Sequence, residues 1–296
     1  MGTSHRMLSA LGVAAILVVA VAPVEAQISF GPKPEGAIVV PYEPTPNNVV
    51  EAMLELGEVG PQDFLIDLGS GDGRIVVTAA KTRGARGLGV DLNPDLVARS
   101  IANAQAAGVA DRVTFRQEDI FKTDLSQATV VTMFLFPQVN IALRPKLLDL
   151  KPGTKIVSHF HDMADWRPDR RQRLMTTEHY GDTWIFFWSV PARLAGNWQW
   201  TEQRSGVTQR HVLSLRQTFQ AVAGSLTTDS LRPIEIRDPK LNGANLEFWL
   251  PVREGGRTAR INFRGTVDGT VIDGTETADS PSGAKAQPWR ATKVGE

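Results

Sequence analysis

The segment FLIDLGSGDGR, residues 64–74, joins an apolar strand to a helix through glycines at three alternate positions. The apolar run before the glycines fits a buried strand, and the apolar spacing after Arg74 fits a helix. Glycines permit a tight turn and a close approach of the backbone to a ligand, while the start of a helix presents unpaired N–H groups. We therefore interpret this segment as the ligand-binding loop of an α/β domain.

Around this loop, apolar strands and helical segments alternate. The predicted helices are 47–57, 74–82, 94–107 and 140–149, and the predicted strands are 64–68, 87–90, 113–116, 129–136 and 155–160. Strands made of unbroken apolar runs and separated by helices indicate a parallel sheet covered on both faces. The charge run 167–173 is interpreted as a solvated helix or loop, and 183–190 as an antiparallel edge strand. Residues 47–191 therefore predict a Rossmann-like, doubly wound, mostly parallel α/β domain.

The composition changes after Pro191, where short strand-like pieces are separated by glycines and little has helical period. The predicted strands are 197–202, 209–215, 218–222, 246–250, 260–263 and 266–272, with a loose loop at 279–286. This pattern predicts a small antiparallel β barrel or sandwich over residues 192–296. We expect its aromatic residues to fill the core, the alternative being a peptide or lipid groove: Trp198, Trp200, Phe219, Phe248, Trp249 and Trp289.

The N-terminal 26 residues have the pattern of a secretory signal peptide. Arg6 precedes an apolar run from Met7 to Ala22, and small residues precede Gln27, which predicts cleavage after Ala26. The alternative is an uncleaved membrane anchor, which would be the only part of the chain in contact with a membrane. Either interpretation predicts an exported protein, in the periplasm or elsewhere outside the cytoplasm. Residues 27–46 are predicted to form an extended entry segment that ends in PYEPTP.

The composition excludes several classes of site. The 32 basic residues balance the 32 acidic ones, so no net charge attracts the chain to nucleic acid, and we expect no nucleic-acid partner. The absence of cysteine excludes thiolate metal sites and cysteine nucleophiles. His159 and His161 offer only two imidazoles near the end of a strand, so we predict no metal site.

The loop itself selects among nucleotide-like ligands. A dinucleotide fingerprint reads G-x-G-x-x-G, but here Gly69, Gly71 and Gly73 alternate, and Arg74 takes the position of the last small residue. Asp67 at the start of the loop suits a positively charged amino acid better than a pyrophosphate. This spacing disfavours a nicotinamide oxidoreductase and resembles the loop with which class I methyltransferases bind S-adenosylmethionine.

Two further acids follow neighbouring strands. Asp91 ends the strand 87–90, where its carboxylate can accept from the hydroxyls of a ribose, and Asp119 follows the strand 113–116, where it can accept from an adenine amine. Taken singly, an acid at the end of a strand often caps a helix or faces water. Together with Asp67, these acids predict one site for an amino acid that carries an adenosine.

The segments PYEPTP, DLGSGDGRIV, GVDLNP, QEDIF and SHF together resemble the family of the ATP synthase c-subunit lysine N-methyltransferase and its bacterial relatives. The resemblance covers residues 39–166. It implies S-adenosylmethionine as cofactor and N-methylation of a protein lysine or another amine, including a small-molecule amine. It also implies a lid from Tyr42 and Thr45, and cofactor contacts from Asp67, Gly69, Ser70, Gly71, Gly73, Asp91 and Asp119. The signal peptide and the β-rich tail depart from the family, so the identity of the methyl acceptor does not transfer.

Methyl transfer requires few side chains, because the cofactor already carries an activated methyl group and the acceptor need only be positioned. A lysine acceptor must lose a proton, so a nearby proton acceptor would help. The candidate catalytic residues are Phe136 and Pro137, with core packing as the alternative for Phe136, and also His159 and Asp162. A competing hypothesis is an exported binding module that keeps the fold without turnover, because the cofactor is expected to be scarce outside the cytoplasm.

Overall fold

A computed structural model describes residues 42–295 except 177–180, 205, 230, 255–256 and 280–284. The predicted signal peptide and residues 27–41 of the entry segment lie outside the described residues, so both stay predictions. Among the helices that the structure describes, none combines the length and the apolar character needed to cross a membrane.

The first part of the chain forms a seven-stranded sheet with helices on both faces. Its elements are α1 (Asn47–Leu56), β1 (Phe64–Leu68), α2 (Arg74–Arg83), β2 (Arg86–Asp91), α3 (Pro94–Ala106), β3 (Val113–Gln117), β4 (Val130–Met133), α4 (Pro137–Leu148), β5 (Lys155–His159), β6 (Arg170–Met175) and β7 (Asp182–Ser189). The strand order is β3-β2-β1-β4-β5-β7-β6, and among the described strands of this sheet β7 alone runs opposite to the rest. The predicted mostly parallel sheet is confirmed.

Alternate residues of β1 enter two separate apolar clusters. Leu65 packs in the cluster that includes residues of α1, α2 and α3, whereas Ile66 and Leu68 pack in the cluster that includes residues of α4. Because β1 is buried on both faces, its sequence is an apolar run rather than an alternating pattern. The doubly wound architecture is therefore confirmed.

Two predictions at the far edge of this sheet are wrong. The charge run is not a solvated helix or loop, because Arg170–Met175 is the edge strand β6, and the antiparallel strand β7 therefore lies inside the sheet. Arginines suit this edge because their guanidinium groups cover aromatic rings of β7: Arg170 lies 4.1 Å from the ring centre of Phe187, and Arg171 lies 5.2 Å from that of Trp184.

The predicted strand 129–136 and the predicted helix 140–149 also have other limits. The strand β4 ends at Met133, and α4 already begins at Pro137. Proline is well placed there because the first turn of a helix needs no backbone N–H from it. Phe134, Leu135 and Phe136 therefore form a link at the carboxyl end of β4.

The second part of the chain is one antiparallel sheet of nine strands. Its elements are β8 (Gly196–Arg204), β9 (Val207–Thr218), β10 (Ala221–Thr228), β11 (Leu231–Glu235), β12 (Arg237–Asn242), β13 (Asn245–Glu254), β14 (Arg257–Asp268), β15 (Val271–Ala278) and β16 (Lys285–Val294). The order is β11-β10-β9-β8-β16-β15-β14-β13-β12, and β10 contacts β12 across the seam. The N–H of Ile236 also donates to the carbonyl of Gly224 (3.0 Å). The sheet is a nearly closed barrel, which decides between the two predicted architectures.

Three details of the barrel correct the predictions. Residues 218–222 and 266–272 are not single strands, because each contains a hairpin turn, at Phe219 (φ +53°) and at Gly269 (φ +56°). Lys285 and Ala286 belong to β16 rather than to a loop. The Asp268-Gly269 pair is a typical hairpin signal that the prediction overlooked, whereas no glycine marks the turn at Phe219.

Most of the barrel aromatics are core residues, as predicted. Trp198, Phe248 and Trp289 are at most 3% exposed, and the rings of Phe248 and Trp289 meet at 5.8 Å. Two aromatics differ from the prediction. Trp249 lies on the outer face of the barrel, where the centre of its ring is 4.3 Å from the guanidinium carbon of Arg260. Phe219 packs outside the barrel.

Candidate active site

The order of the first sheet reverses at β1, because β2 and β3 follow on one side and β4 and β5 on the other. In open α/β sheets, ligands bind outside the carboxyl ends of the strands at such a reversal. The glycine loop follows β1 at this place. The predicted site residues are therefore brought to one edge of the sheet.

The glycine loop wraps around the end of β2. The N–H groups of Gly69 and Ser70 both lie 2.9 Å from the carbonyl oxygen of Val90, and the N–H of Gly71 donates to Asp91 Oδ2 (2.9 Å). The φ angles of Gly69 and Gly71 are +79° and +54°, in the region that favours glycine. Glycine is required at both positions, because a Cβ at either one would clash with a neighbouring side chain.

Of the three predicted acids, Asp67 is buried at this edge and Asp91 is half-buried. Asp67 is 2% exposed and accepts from Thr132 Oγ1 (2.7 Å). Burial raises the pKa of Asp67 to about 7, and the negative charge of Asp91 adds to the shift. Burial also raises the pKa of Asp91, whose Oδ1 accepts from the N–H of Asn93 (2.9 Å). Two carboxylates that are costly to charge favour a cationic ligand beside them.

The structure connects Asp119 to the site less clearly than it does the other two acids. It is half-buried after β3, and its Oδ1 accepts from the N–H of Phe121 (2.9 Å). This contact shapes the local turn, as in the simpler interpretation of an acid that follows a strand.

Tyr42, Thr45, Asp72 and Arg74 form a cluster that we call the entry latch. Arg74 Nη1 donates to the carbonyl of Thr45 (3.0 Å), and Arg74 Nη2 donates to Asp72 Oδ2 (2.8 Å). The Tyr42 ring covers Gly71, since a Cβ there would lie 2.5 Å from Tyr42 Cε2. Burial and then the charge of Asp72 raise the pKa of the Tyr42 phenol. The end of the entry segment is therefore fixed over the glycine loop, as the predicted lid requires.

Sequence reasoning missed this role of Arg74, which served there only to disfavour a dinucleotide site. The signal in the sequence was the position of Arg74 directly after the acid and glycine of the loop. A side chain at the first turn of α2 reaches back over that loop.

His159 is wholly buried at the end of β5. Its Nδ1 lies 3.3 Å from Thr45 Oγ1 and its Nε2 lies 2.9 Å from Thr183 Oγ1, while its ring centre lies 4.1 Å from that of Phe134. Burial lowers the pKa of His159 to about 4, with a smaller contribution from His161. A neutral, buried imidazole with hydroxyls near both nitrogens holds the entry segment against the sheet.

Three aromatic side chains, Phe136, Phe160 and His161, lie at the carboxyl ends of β4 and β5; we call them the acceptor rim. Phe136 is 42% exposed and Phe160 is 43% exposed, so Phe136 is not a core residue. The ring centre of His161 lies 6.5 Å from that of Phe136 and 4.8 Å from that of Phe160. Pro137 begins α4 beside this rim, and Asp162 is exposed and accepts from the N–H of Ala164 (3.0 Å).

A strained turn presents Phe160. Its φ is +68°, and the N–H of His161 donates to the carbonyl of His159 (2.8 Å), which is a γ-turn with positive φ. Ser158 Oγ donates to the carbonyl of His161 (2.6 Å), and Asn140 Nδ2 donates to the same carbonyl (3.2 Å). Sequence reasoning missed Asn140, whose partners lie about 20 residues further along the chain, and Ser158, whose partner is three residues away. Backbone strain of this kind persists only where the surroundings hold it, and it is typical of functional sites.

The comparisons with known proteins agree with this geometry. Residues 67–170 match the model of the ANTKMT methyltransferase domain. The chain is 46% identical over 131 residues to a protein-lysine N-methyltransferase of Saccharolobus islandicus, which covers 44% of this chain and 81% of that protein. The chain belongs to the class I S-adenosylmethionine-dependent methyltransferases.

Other relatives of this methyltransferase carry related descriptions. The mouse lysine N-methyltransferase of the ATP synthase c-subunit is 32% identical over 173 residues, 57% of this chain and 67% of that protein. A crystal structure described as an RNA methyltransferase from Salinibacter ruber in complex with S-adenosyl-L-homocysteine is 52% identical, covers 51% of this chain and 96% of that chain, and has a TM-score of 0.48. The resemblance to this family is confirmed, and the oxidoreductase alternative is not supported.

The methyltransferase has groups at the loop that fit S-adenosylmethionine. Ser70 Oγ is buried and has no hydrogen-bond partner among the described residues, so it can bond a ligand. Asp67 offers a carboxylate for an ammonium group, and Asp91 retains acceptor capacity for hydroxyls. Within the described ranges, no group of three or more histidine or acidic side chains is arranged to hold a metal ion.

Proposed function

We propose that this methyltransferase transfers the methyl group of S-adenosylmethionine to the ε-amine of a lysine in a protein. The observation that carries the proposal is the exposed acceptor rim at the carboxyl ends of β4 and β5, beside the glycine loop. The two curated relatives described above are lysine methyltransferases, which supports the same acceptor. They also favour an enzyme over a binding module without turnover.

The cofactor half of the site, which is the part at the glycine loop, would bind the cofactor and orient it. Asp67 would accept from the cofactor ammonium, Asp91 from the ribose hydroxyls and Asp119 from the adenine amine. Ser70 and the glycine backbone would line the amino-acid part, and the entry latch would exclude water from it. When bound, the cofactor supplies a methyl group on a sulfonium, so the protein need not activate it.

The acceptor half holds the lysine and prepares its amine. The faces of Phe136 and Phe160 attract a lysine ammonium and pack against its aliphatic stem. The amine must lose its proton before it reacts, because only its neutral form is nucleophilic. Burial lowers the pKa of His161 and keeps its imidazole neutral, and the charge of Asp162 beside it would support the imidazolium that forms when the released proton arrives. Positioning then supplies most of the rate enhancement.

The test is a methyl-transfer reaction with the full chain and isotopically labelled S-adenosylmethionine. Soluble proteins, envelope proteins and RNA are offered separately, and labelled products are mapped by mass spectrometry. We expect label on lysine side chains of a protein, with Asp67→Asn as the variant that loses the reaction. Label on RNA alone, or on no acceptor although S-adenosylhomocysteine binds, would overturn the lysine proposal. Recovery of the acceptor from the envelope fraction would agree with export, which we propose from residues 1–26 alone.

A further inference from the structure

We propose that the C-terminal barrel keeps the acceptor rim in its active geometry through the β9–β10 turn, with Gln220 as the positioning residue. This inference rests on the proposed role of the rim. It assigns a function to a barrel that follows the segment matched by the family model, which ends at residue 170.

The β9–β10 turn projects from the barrel and packs against α4 and the segment that follows β5. Phe219 has a φ of +53°, and its ring stacks on that of Trp166 with centres 5.8 Å apart. The guanidinium of Arg144, from α4, lies 5.3 Å from the centre of the Phe219 ring. A hairpin turn with a strained, non-glycine residue is therefore held by contacts outside its own sheet.

Gln220 directs all of its side-chain hydrogen bonds that the structure describes to the segment after β5. Its Oε1 accepts from Trp166 Nε1 (3.0 Å). Its Nε2 donates to the carbonyl of Arg167 (2.7 Å) and to Asp169 Oδ1 (2.9 Å). One amide thus ties three residues of this segment to the barrel. An aliphatic side chain of similar length would leave these partners unsatisfied.

The same segment begins at the strained turn of the acceptor rim. Asn140 Nδ2 donates to the carbonyls of His161 (3.2 Å) and Asp162 (3.3 Å), which holds the beginning of the segment. Trp166, which is wholly buried, holds its end, and its carbonyl accepts from Trp188 Nε1 (2.8 Å). Only a few residues separate the two anchors. Loss of the barrel anchor is therefore expected to release the Phe160 turn, which is strained and needs support from both sides.

The decisive variant is Gln220→Ala, with Gln203→Ala as its matched control. Gln203 is also a barrel glutamine, but its Nε2 donates to Thr208 within an exposed hairpin (2.6 Å). For Gln220→Ala we expect a KM for the protein acceptor that rises several-fold, or a similar loss of kcat, with an unchanged Kd for S-adenosylhomocysteine. Hydrogen exchange should become faster at residues 160–169. Gln203→Ala should match the wild type in each of these measurements.

A second variant separates positioning from a general loss of stability. In Gln220→Glu the acceptor for Trp166 is kept, but the donor is replaced by a carboxylate next to Asp169. Two adjacent carboxylates share a proton more readily as the pH falls, which restores a donor. The activity of Gln220→Glu, divided by that of the wild type, should therefore rise as the pH is lowered.

The outcomes are distinct. Kinetics and exchange of Gln220→Ala that equal those of Gln203→Ala would overturn the inference. A ratio for Gln220→Glu that does not change with pH would contradict the role of the Gln220 amide. If the wild type methylates no lysine, the proposed function fails, while exchange at 160–169 still decides whether the barrel anchors the segment.

Discussion

The cofactor half and the acceptor half of the site lie at the same edge of one sheet but are built differently. The cofactor half consists of β1, β2 and the glycine loop that joins β1 to α2. The side chain of Asp91, at the end of β2, accepts a hydrogen bond from the N–H of Gly71 in that loop. The acceptor half is assembled from segments that are distant in the sequence, because Asn140 and the barrel turn at Gln220 both act on residues 160–169.

The two halves should therefore be sensitive to different kinds of substitution. The cofactor half is centred on the backbone of one short glycine loop, so the loss of a single carboxylate or the addition of a single methyl group there should disturb it. The geometry of the acceptor half depends on long-range anchors, so changes there should alter turnover while the cofactor still binds.

The largest effect is expected at Asp67. Asp67→Asn keeps the shape of the side chain but removes the charge that an ammonium group would meet. We expect the Kd for S-adenosylhomocysteine to rise by roughly 30- to 100-fold, which corresponds to the loss of one charge-assisted hydrogen bond. Calorimetric titration measures it, with the exposed Asp111→Asn as control. Equal affinity in both variants would remove Asp67 from the site.

The pH dependence of binding should follow the same carboxylate. Since the pKa of Asp67 is raised to about 7 by burial, the unliganded protein must lose this proton before it holds an ammonium. Affinity for S-adenosylhomocysteine should therefore increase about 10-fold from pH 6 to pH 8, and Asp67→Asn should lack this change. A wild-type affinity that is flat across this range contradicts the assignment.

The same pKa fixes the sign of the effect on stability. The folded protein holds the Asp67 proton more tightly than the unfolded chain, whose pKa is near 3.8. Without ligand, the folded state is therefore favoured below about pH 4, and this contribution is lost as the pH rises to about 7. The melting temperature of Asp67→Asn relative to the wild type should increase across that window.

A smaller effect is expected at Gly71. In Gly71→Ala the new methyl group would meet the Tyr42 ring at 2.5 Å, and the φ of +54° is unfavourable for alanine. The matched control is Gly108→Ala, because Gly108 has a φ of +70° but no heavy atom within 4 Å of its Cβ position. Both should lose about 1 kcal/mol of stability, and only Gly71→Ala should weaken cofactor binding, by about 10-fold. Similar affinities would show that the Tyr42 contact is not part of the lid.

The smallest effect concerns the acceptor half. Phe160→Ala and Phe160→Gly both remove the exposed ring, and both should raise the KM for the acceptor several-fold without changing cofactor affinity. Glycine tolerates the φ of +68°, so Phe160→Gly should be more stable than Phe160→Ala by about 1 kcal/mol. Thermal unfolding and steady-state kinetics separate the two effects. Weakened cofactor binding in either variant would break the division between the two halves.

The same division explains what the sequence could predict. The sequence could predict Asp67, Gly71 and Asp91. A strand, a turn and an acid follow one another within a few residues there, which is a recognisable local pattern. Phe160 and Asn140 do not, since a positive φ at phenylalanine and a hydrogen bond across many residues leave no local pattern. The strand at Arg170 escaped prediction because charge along an edge strand resembles charge in a loop. The hairpin at Phe219 was missed because no glycine, asparagine or proline marks it.

The most direct test of the central claim is a calorimetric titration of the full chain with S-adenosylhomocysteine and, separately, with NAD. We expect saturable binding of S-adenosylhomocysteine at one site per chain, weakened in Asp67→Asn, and no comparable binding of NAD. Tighter binding of NAD, or binding of S-adenosylhomocysteine that is indifferent to Asp67, would contradict it.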